Sequence, residues 1–437
     1  MKFDKFFVLA KQAGIEDAQL SITEDTNLEF SLFHSEVSNY ENNSEMNILA
    51  RGIINGKMGT ASCDTWDNNK CKFLVDQIVQ NAKVIEEEDP AFIFEGSPKY
   101  KKVNAYNKEL ENVTFDEKLA KLKELESLIK FGDPRIIEVG QVAYMEKVSK
   151  RTLINSKGLK LNSKSNYFAA YGVGVAQENG QVKSEFDFTF GQDFSKFDPK
   201  ELAKRIVEKT VGQLGGHPCE PNSYKTVLAP SVVASFVSVL ASYASSEDVQ
   251  KKSSLFIDKV GELVASKKIT IEDRPLNKYG FTRWFDDEGV ATYDKPIIKN
   301  GVLQGYLYNL TTAAKDNTQS TGNGFGGSSI GVHPAFLYLK PGKKTEKELF
   351  EGIKEGVYIT SVGGLHAGLN PQSGNFSLQS SGFYIKDGKL DYPLDLVTVS
   401  GNILKLFQDV TDVASNSEIS LSGAITSSIA VKKLTIS

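Results

Sequence analysis

The chain has 437 residues, 40% of them hydrophobic and 24% charged, an ordinary globular balance in a length that exceeds what one hydrophobic core sustains. With 51 basic and 55 acidic residues, a net charge of -4 and no lysine-arginine run longer than two, it lacks the concentrated basic face that binding to a phosphate backbone needs. Three cysteines, Cys63, Cys71 and Cys219, are an odd set without framework spacing, which points to a reducing, cytoplasmic setting.

The N-terminus predicts a short amphipathic helix over 3–13. Its apolar run, Phe6 to Ala10, is too short for a signal segment, so no export is expected. Strands follow at Gln19–Phe33 and Val37–Arg51, then a hairpin with the Asn55-Gly56 turn. Helical spacing returns over 68–88 through Phe73, Leu74, Ile78, Val79 and Ala82. Thr114 and Glu117 form a capping box for a second helix with Leu119, Leu122, Leu125 and Leu128 on one side. From Ile136 to Thr189 the pattern is strand-like, with turns at Ser156-Lys157-Gly158 and Glu178-Asn179-Gly180. Gly172 and Gly174 permit close approach by another element. Asp198-Pro199 opens a helix to about Leu214.

Two prolines and two glycines in Gly215–Pro221 mark a linker. The expected fold is therefore α+β in two domains: 1–215, a sheet covered by helices, and 222–437, a β-rich domain with a buried helix. That helix is expected over Pro230–Asp248. No charged residue occurs from Thr226 to Ser246. Ser231 is placed to cap it, and Val232, Val233, Phe236, Val237, Leu240 and Tyr243 recur at helical spacing on one side. Ala234, Ser238, Ala241 and Ser245 line the other side, which suits a helix enclosed on both faces. Hairpins are expected at Asn300-Gly301 and Asp387-Gly388, and short helices near 345–355 and 401–409.

Several motifs invite chemistry and meet plainer readings. The histidines His34, His217, His333 and His366 have no helical ligand spacing, and there is no HExxH, so a self-contained zinc site is not expected. His217 and Cys219 supply only two donors in a linker. Gly322–Gly327 spells GxGxxG, and Glu346 lies near the distance of a ribose-binding acid. No strand precedes the motif and no helix follows, so a dinucleotide site is rejected. Gly327-Ser328-Ser329-Ile330-Gly331 matches GxSxG without the strand and helix of a nucleophile elbow, so Thr318–Gly331 reads as a flexible glycine-rich loop, with peptide or partner binding as the functional alternative. Asp286-Asp287-Glu288, lacking further ligands, reads as a solvated turn rather than a cation site or an acid-base pair.

Taken together, Arg51–Ser62, Phe285–Val290, Ile298–Leu303, Ser320–Asn323, Asn370–Ser377 with Ser381–Phe383, and Val399–Leu404 resemble the TldD/PmbA family, once called modulators of DNA gyrase. The resemblance spans nearly the whole chain. It implies two α+β domains and a dimer. The TldD branch is similar to a zinc metalloprotease with HExxxH on a helix of the second domain, whereas the PmbA/TldE branch lacks the motif and pairs with the first. Aligned from Pro230, the two histidine positions fall on Ser238 and Tyr243 and the glutamate position on Val239. Serine, tyrosine and valine do not supply zinc ligands or a general base at neutral pH. The family's C-terminal cysteine ligand has no counterpart after Cys219.

The resemblance thus implies a PmbA/TldE-like subunit with no catalytic or metal-binding residue of its own, zinc being expected in a TldD-like HExxxH partner. Its substrates would be unfolded peptides, and Asn323, Gly324, Phe325, Gly374, Asn375 and Phe376 are the candidate peptide or partner contacts. The alternative is a stand-alone homodimer that binds peptides or regulates without cutting. A hydrolase using Ser329 or Asp286–Glu288 is disfavoured, as are membrane and direct nucleic-acid binding.

Overall fold

A computed structural model of the chain describes residues 3–86, 89–420 and 423–437. The first half runs α1 (Asp4–Gln12), β1 (Asp17–Phe33), β2 (Glu36–Ile54), β3 (Lys57–Cys63), α2 (Asn68–Lys83), α3 (Lys108–Asn112), α4 (Phe115–Lys130), β4 (Ile136–Asn155), β5 (Lys160–Glu178), β6 (Gln181–Gly191) and α5 (Pro199–Gly212). Its strands form one antiparallel sheet in the order β3-β2-β1-β4-β5-β6. Asn55 and Asn179 adopt φ of 50° ahead of Gly56 and Gly180, the left-handed pair that a two-residue hairpin requires.

Two pairs of helices cover one face of this sheet. Phe6, Leu20, Ile48, Leu74 and Ile78 pack under α1 and α2, and Phe30, Leu122, Ile129, Tyr144, Phe168 and Ile206 pack under α4 and α5. A Cβ on Gly172 of β5 would lie 2.7 Å from Ile129 Cδ1 and 2.9 Å from Ile206 Cδ1. Close approach is therefore its use, as the small residues of that strand predicted. The Thr114–Glu117 capping box is formed. The expected helix over 68–88 ends at Lys83, and residues 87 and 88 lie outside the described residues.

The second half opens with β7 (Asn222–Leu228), α6 (Pro230–Ser242), α7 (Ser246–Gln250), β8 (Ile271–Asp273), β9 (Lys295–Lys299), β10 (Val302–Leu303), α8 (Leu310–Lys315), β11 (Gly324–Gly326), β12 (Ile330–Val332) and β13 (Leu337–Leu339). It closes with α9 (Glu346–Glu351), β14 (Glu355–Gly363), α10 (Leu365–Gly368), β15 (Asn375–Lys386), β16 (Lys389–Asn402), α11 (Ile403–Gln408), β17 (Val410–Val413), β18 (Glu418–Ile419), β19 (Ala424–Thr426) and β20 (Ile429–Ile436).

One sheet has the order β16-β15-β14-β7-β20-β17, and β16 also pairs with β20, which closes a ring of strands. A second sheet is ordered β10-β9-β8-β13-β19-β18, and among the described residues β11 pairs only with β12. Helix α6 packs against β14 of the first and against β13 and β19 of the second. Two sheets around one helix explain its sequence. Val232, Val233, Phe236, Val237 and Leu240 are buried, and so are Ala234 and Ala241. Each large side chain so enclosed contributes about 1.5–3 kcal/mol.

The ends of α6 depart from expectation. Ala229 is the N-cap and Pro230 the first helical residue, while the Ser231 hydroxyl donates to the Thr360 carbonyl on β14. Proline needs no amide partner at that position. The helix stops at Ser242 rather than running to Asp248, because Ser245 caps a separate short helix, α7.

Candidate functional site

At the positions that the family resemblance sets against the metal-binding motif, α6 presents Ser238, Val239 and Tyr243. The Ser238 hydroxyl donates to the Ala234 carbonyl, 2.9 Å away within the same helix. Val239 is half-buried and packs on the core of the second half, and it has no donor atom. Tyr243 is the C-cap, and its hydroxyl donates to the Pro371 carbonyl at 2.8 Å. Burial pushes the Tyr243 hydroxyl's pKa up, so it stays protonated at neutral pH. These residues do not fit a zinc ion of the kind that the TldD branch's HExxxH motif implies. Among the described residues no group of three or more His, Cys, Asp or Glu side chains is arranged to hold a metal.

The histidines are placed apart from one another's chemistry. His34 pairs with Glu138 at 3.3 Å on the surface, and His217 stacks on Tyr392 with ring centroids 4.1 Å apart. Cys219 is buried and free. His333 lies over Gly331, and His366 is exposed on α10.

The acidic triplet corrects the sequence reading most sharply. It is no solvated turn: Asp286 is 0% exposed and Glu288 9%. Asp286 Oδ1 accepts from the amides of Glu288 and Val290, and Oδ2 accepts from the amide of Gly324 at 3.0 Å. Asp287 Oδ2 accepts from the Gly326 amide at 3.0 Å, and the Asp287 amide donates to the Gly324 carbonyl at 2.9 Å. Two side chains and one backbone amide thereby satisfy the outer edge of β11 in place of a neighbouring strand.

The N-terminal sheet supplies the countercharge. Arg151 on β4 donates to Asp287 Oδ1, and Arg283 Nη2 lies 3.6 Å from the same oxygen. Arg51 on β2 donates from Nη2 to the Gly327 carbonyl at 2.6 Å and from Nη1 to the Asp287 carbonyl at 3.4 Å, which also accepts from Gln19 Nε2 at 3.1 Å. Glu288 Oε2 accepts from the Leu310 amide at 2.8 Å.

Burial, and then the charge of Glu288, raises the Asp286 carboxyl well above the usual range against the pull of its amide donors. Burial likewise pushes Glu288 up to about 7, opposed by the Leu310 amide and by Arg51. Burial brings Arg151 down to about 10. With every acceptor of Asp286 aimed at backbone amides, the turn is built to hold segments together. It has no open acid-base pair.

The loop expected to be flexible is a hairpin. Gly324–Gly326 and Ile330–Val332 pair across Gly327-Ser328-Ser329, which is exposed. A strand, with no helix, follows the GxGxxG glycines, as their context required. Ser329 sits at the tip of this hairpin, and among the described residues no hydrogen bond joins it to a histidine.

The candidate contact residues divide by exposure. Asn323 is fully buried, donating from Nδ2 to Asp273 Oδ2 and to the His333 carbonyl at 2.8 Å each. Gly324, Gly374 and Phe376 are buried too, the last against Phe236 of α6 with centroids 5.0 Å apart. Phe325 is half-exposed beneath Arg283, and Asn375 is exposed. Four of the six are therefore buried within the fold. The partners that sequence reasoning missed are Gln19, Arg51 and Arg151. Only Arg51 carried a signal, as the lone charge in the apolar run from Ile48 to Ile54.

The PmbA/TldA metallopeptidase central domain matches residues 108–214, and the C-terminal domain of the same family matches 221–437. The chain belongs to the PmbA/TldD family. A metalloprotease PmbA homolog of Buchnera aphidicola is 26% identical over 70% of this chain and 66% of its own length. The chain spans 57 to 66% of the length of the first curated relatives it matches. A Thermotoga maritima structure named as a modulator of a DNA gyrase is 29% identical with a TM-score of 0.91, covering 99% of both chains. TldE from Thermococcus kodakarensis shares the fold, at TM-score 0.90 and 23% identity over 100% of this chain and 99% of its own. As a PmbA/TldD family member the chain has the family's metallopeptidase-like architecture. No described helix is long and apolar enough to cross a membrane.

Proposed function

We propose that this chain is a non-catalytic, PmbA/TldE-type subunit of a cytoplasmic TldD-type zinc metalloprotease complex that acts on unfolded peptides. The observation that carries the reading is the state of α6. The three positions of the metal motif hold a serine bonded to its own helix, a valine, and a protonated tyrosine bonded to Pro371. Zinc, and the general base beside it, belong on this reading to an HExxxH partner. This chain shapes the chamber. Its division at 215–221 into domains 1–215 and 222–437 is part of the same proposal.

The test is to mix the purified chain with an HExxxH homologue from the same genome and zinc. Size analysis should show a heterodimer, and cleavage of an unfolded peptide should need both chains and be abolished by a chelator. A chain that remains a homodimer and binds peptide without activating the partner would instead be the stand-alone binding protein. Chelator-resistant cleavage by the chain alone would overturn both readings.

A further inference from the structure

Arg51, Asp287 and the hairpin of β11 and β12 meet where the two halves of the chain touch. The Gly324 and Gly326 amides end on carboxylates of the turn, the Gly324 carbonyl ends on the turn's backbone, and the Gly327 carbonyl ends on Arg51. On the far side, the Ile330 carbonyl accepts from Asn309 Nδ2 at 3.2 Å. Glu288 is wedged against the hairpin: a Cβ on Gly324 would lie 2.5 Å from Glu288 Oε2.

We propose that the Asp286–Glu288 turn is a pH-responsive clasp that keeps the hairpin docked on the N-terminal sheet while Glu288 is protonated and loosens it once Glu288 ionises. The inference is independent of whether the chain works with a protease partner.

The charged groups that act on Glu288 are Asp286 and Asp287 on its own segment and Arg51 on β2. Arg283, and Arg151 on β4, face the neighbouring carboxylates of the turn, with Asp25 of β1 acting on Arg151. Helix α8 contributes the Leu310 amide, and β11 contributes glycine backbone. Arg51 and the amide favour the ionised form, but exclusion from water outweighs them. The sign follows from that. A carboxyl whose docked pKa is raised to about 7 from 4.5 favours docking fully below the lower value and loses that contribution as pH rises toward and through the upper one. Between pH 6 and 8 the opening constant should rise about tenfold.

Hydrogen-exchange mass spectrometry of the full chain at pH 6, 7 and 8, corrected for intrinsic rates, reads this directly. Peptides covering 324–332 should lose about tenfold in protection over that range, in contrast to peptides from β5, and Glu288→Gln should abolish the difference. Equal pH dependence in the wild type and in Glu288→Gln would overturn the clasp. Should Glu288→Gln fail to fold, an environment-sensitive dye on Ser329→Cys, in a Cys63→Ser background, leaves the turn intact. A signal change centred near pH 7 is expected, and a flat signal from pH 6 to 8 overturns the proposal.

Discussion

The hydroxyl of Tyr243 donates to the carbonyl oxygen of Pro371 at 2.8 Å, which pins the end of α6 to the loop that leads into β15. Ser254 adds a second tie, its hydroxyl donating to the Tyr243 carbonyl. On this geometry the tyrosine is a structural strut. Tyr243→Phe removes one hydrogen bond and leaves the shape intact. It should cost about 1 kcal/mol, a fall of roughly 2 °C in Tm by calorimetry, with complex formation by the proposed subunit unchanged. A loss of zinc from the purified wild-type chain, or of intrinsic peptidase activity, on this substitution would contradict a strut.

Gly59 belongs to the Arg51–Ser62 segment that carries the family resemblance, and its role is steric. A Cβ there would lie 2.1 Å from the Ile78 carbonyl oxygen, and backbone cannot give way as a side-chain tip can. Gly59→Ala should force α2 off the sheet and lower stability by about 1–3 kcal/mol in urea unfolding. Gly180→Ala is a useful contrast, since space is open around it but its φ is +82°, so its cost comes from backbone conformation alone. If Gly59→Ala left the urea midpoint unmoved, the packing of α2 on β3 would need revision.

Where local chemistry sets the structure, the sequence was readable. The capping box at Thr114, the Asn-Gly turns and the small residues of β5 each specify their geometry within a few positions. The enclosed character of α6 was legible too, because a helix apolar on one side and small on the other has to be covered on both. The acidic turn was not. Asp286, Asp287 and Glu288 resemble any solvated turn until Arg151, 136 residues distant, and the Gly324 amide, 38 residues distant, are folded against them. Partners so far apart leave no periodicity in a single sequence. The hairpin at 324–332 was hidden for a related reason, since glycines give weak strand signals and its edge is satisfied by side chains instead of by another strand.

Thiol chemistry gives a prediction that needs no mutation. Cys71 and Cys219 are buried and Cys63 is half-buried; all three are free. Burial pushes each thiol up from its ordinary range, and the Cys63 sulfur also donates to the Thr65 carbonyl at 3.2 Å. Thiolate is the reactive form. Native protein at pH 8 should therefore release one equivalent of a disulfide reagent's chromophore, slowly, and three in denaturant. Fast reaction of two or more thiols in the native state would mean that Cys71 or Cys219 is more open than described.

Arg151 and Asp287 offer the most direct test of how the halves are joined. Their ion pair is largely shielded, with side chains 17% and 16% exposed, and the guanidinium also lies 5.1 Å from the ring centroid of Phe285. Removing one partner of such a pair leaves the other in a poor solvent, so Arg151→Met should cost about 3 kcal/mol. Arg283, at 3.6 Å from the carboxylate, limits the loss without replacing a direct bond. The double variant Arg151→Met with Asp287→Leu removes both charges and should recover part of the loss, because desolvation of each ion is no longer required. Urea unfolding of the three chains measures this. A single variant within 0.5 kcal/mol of wild type, at roughly the level of an exposed pair, would show that the halves are held together elsewhere.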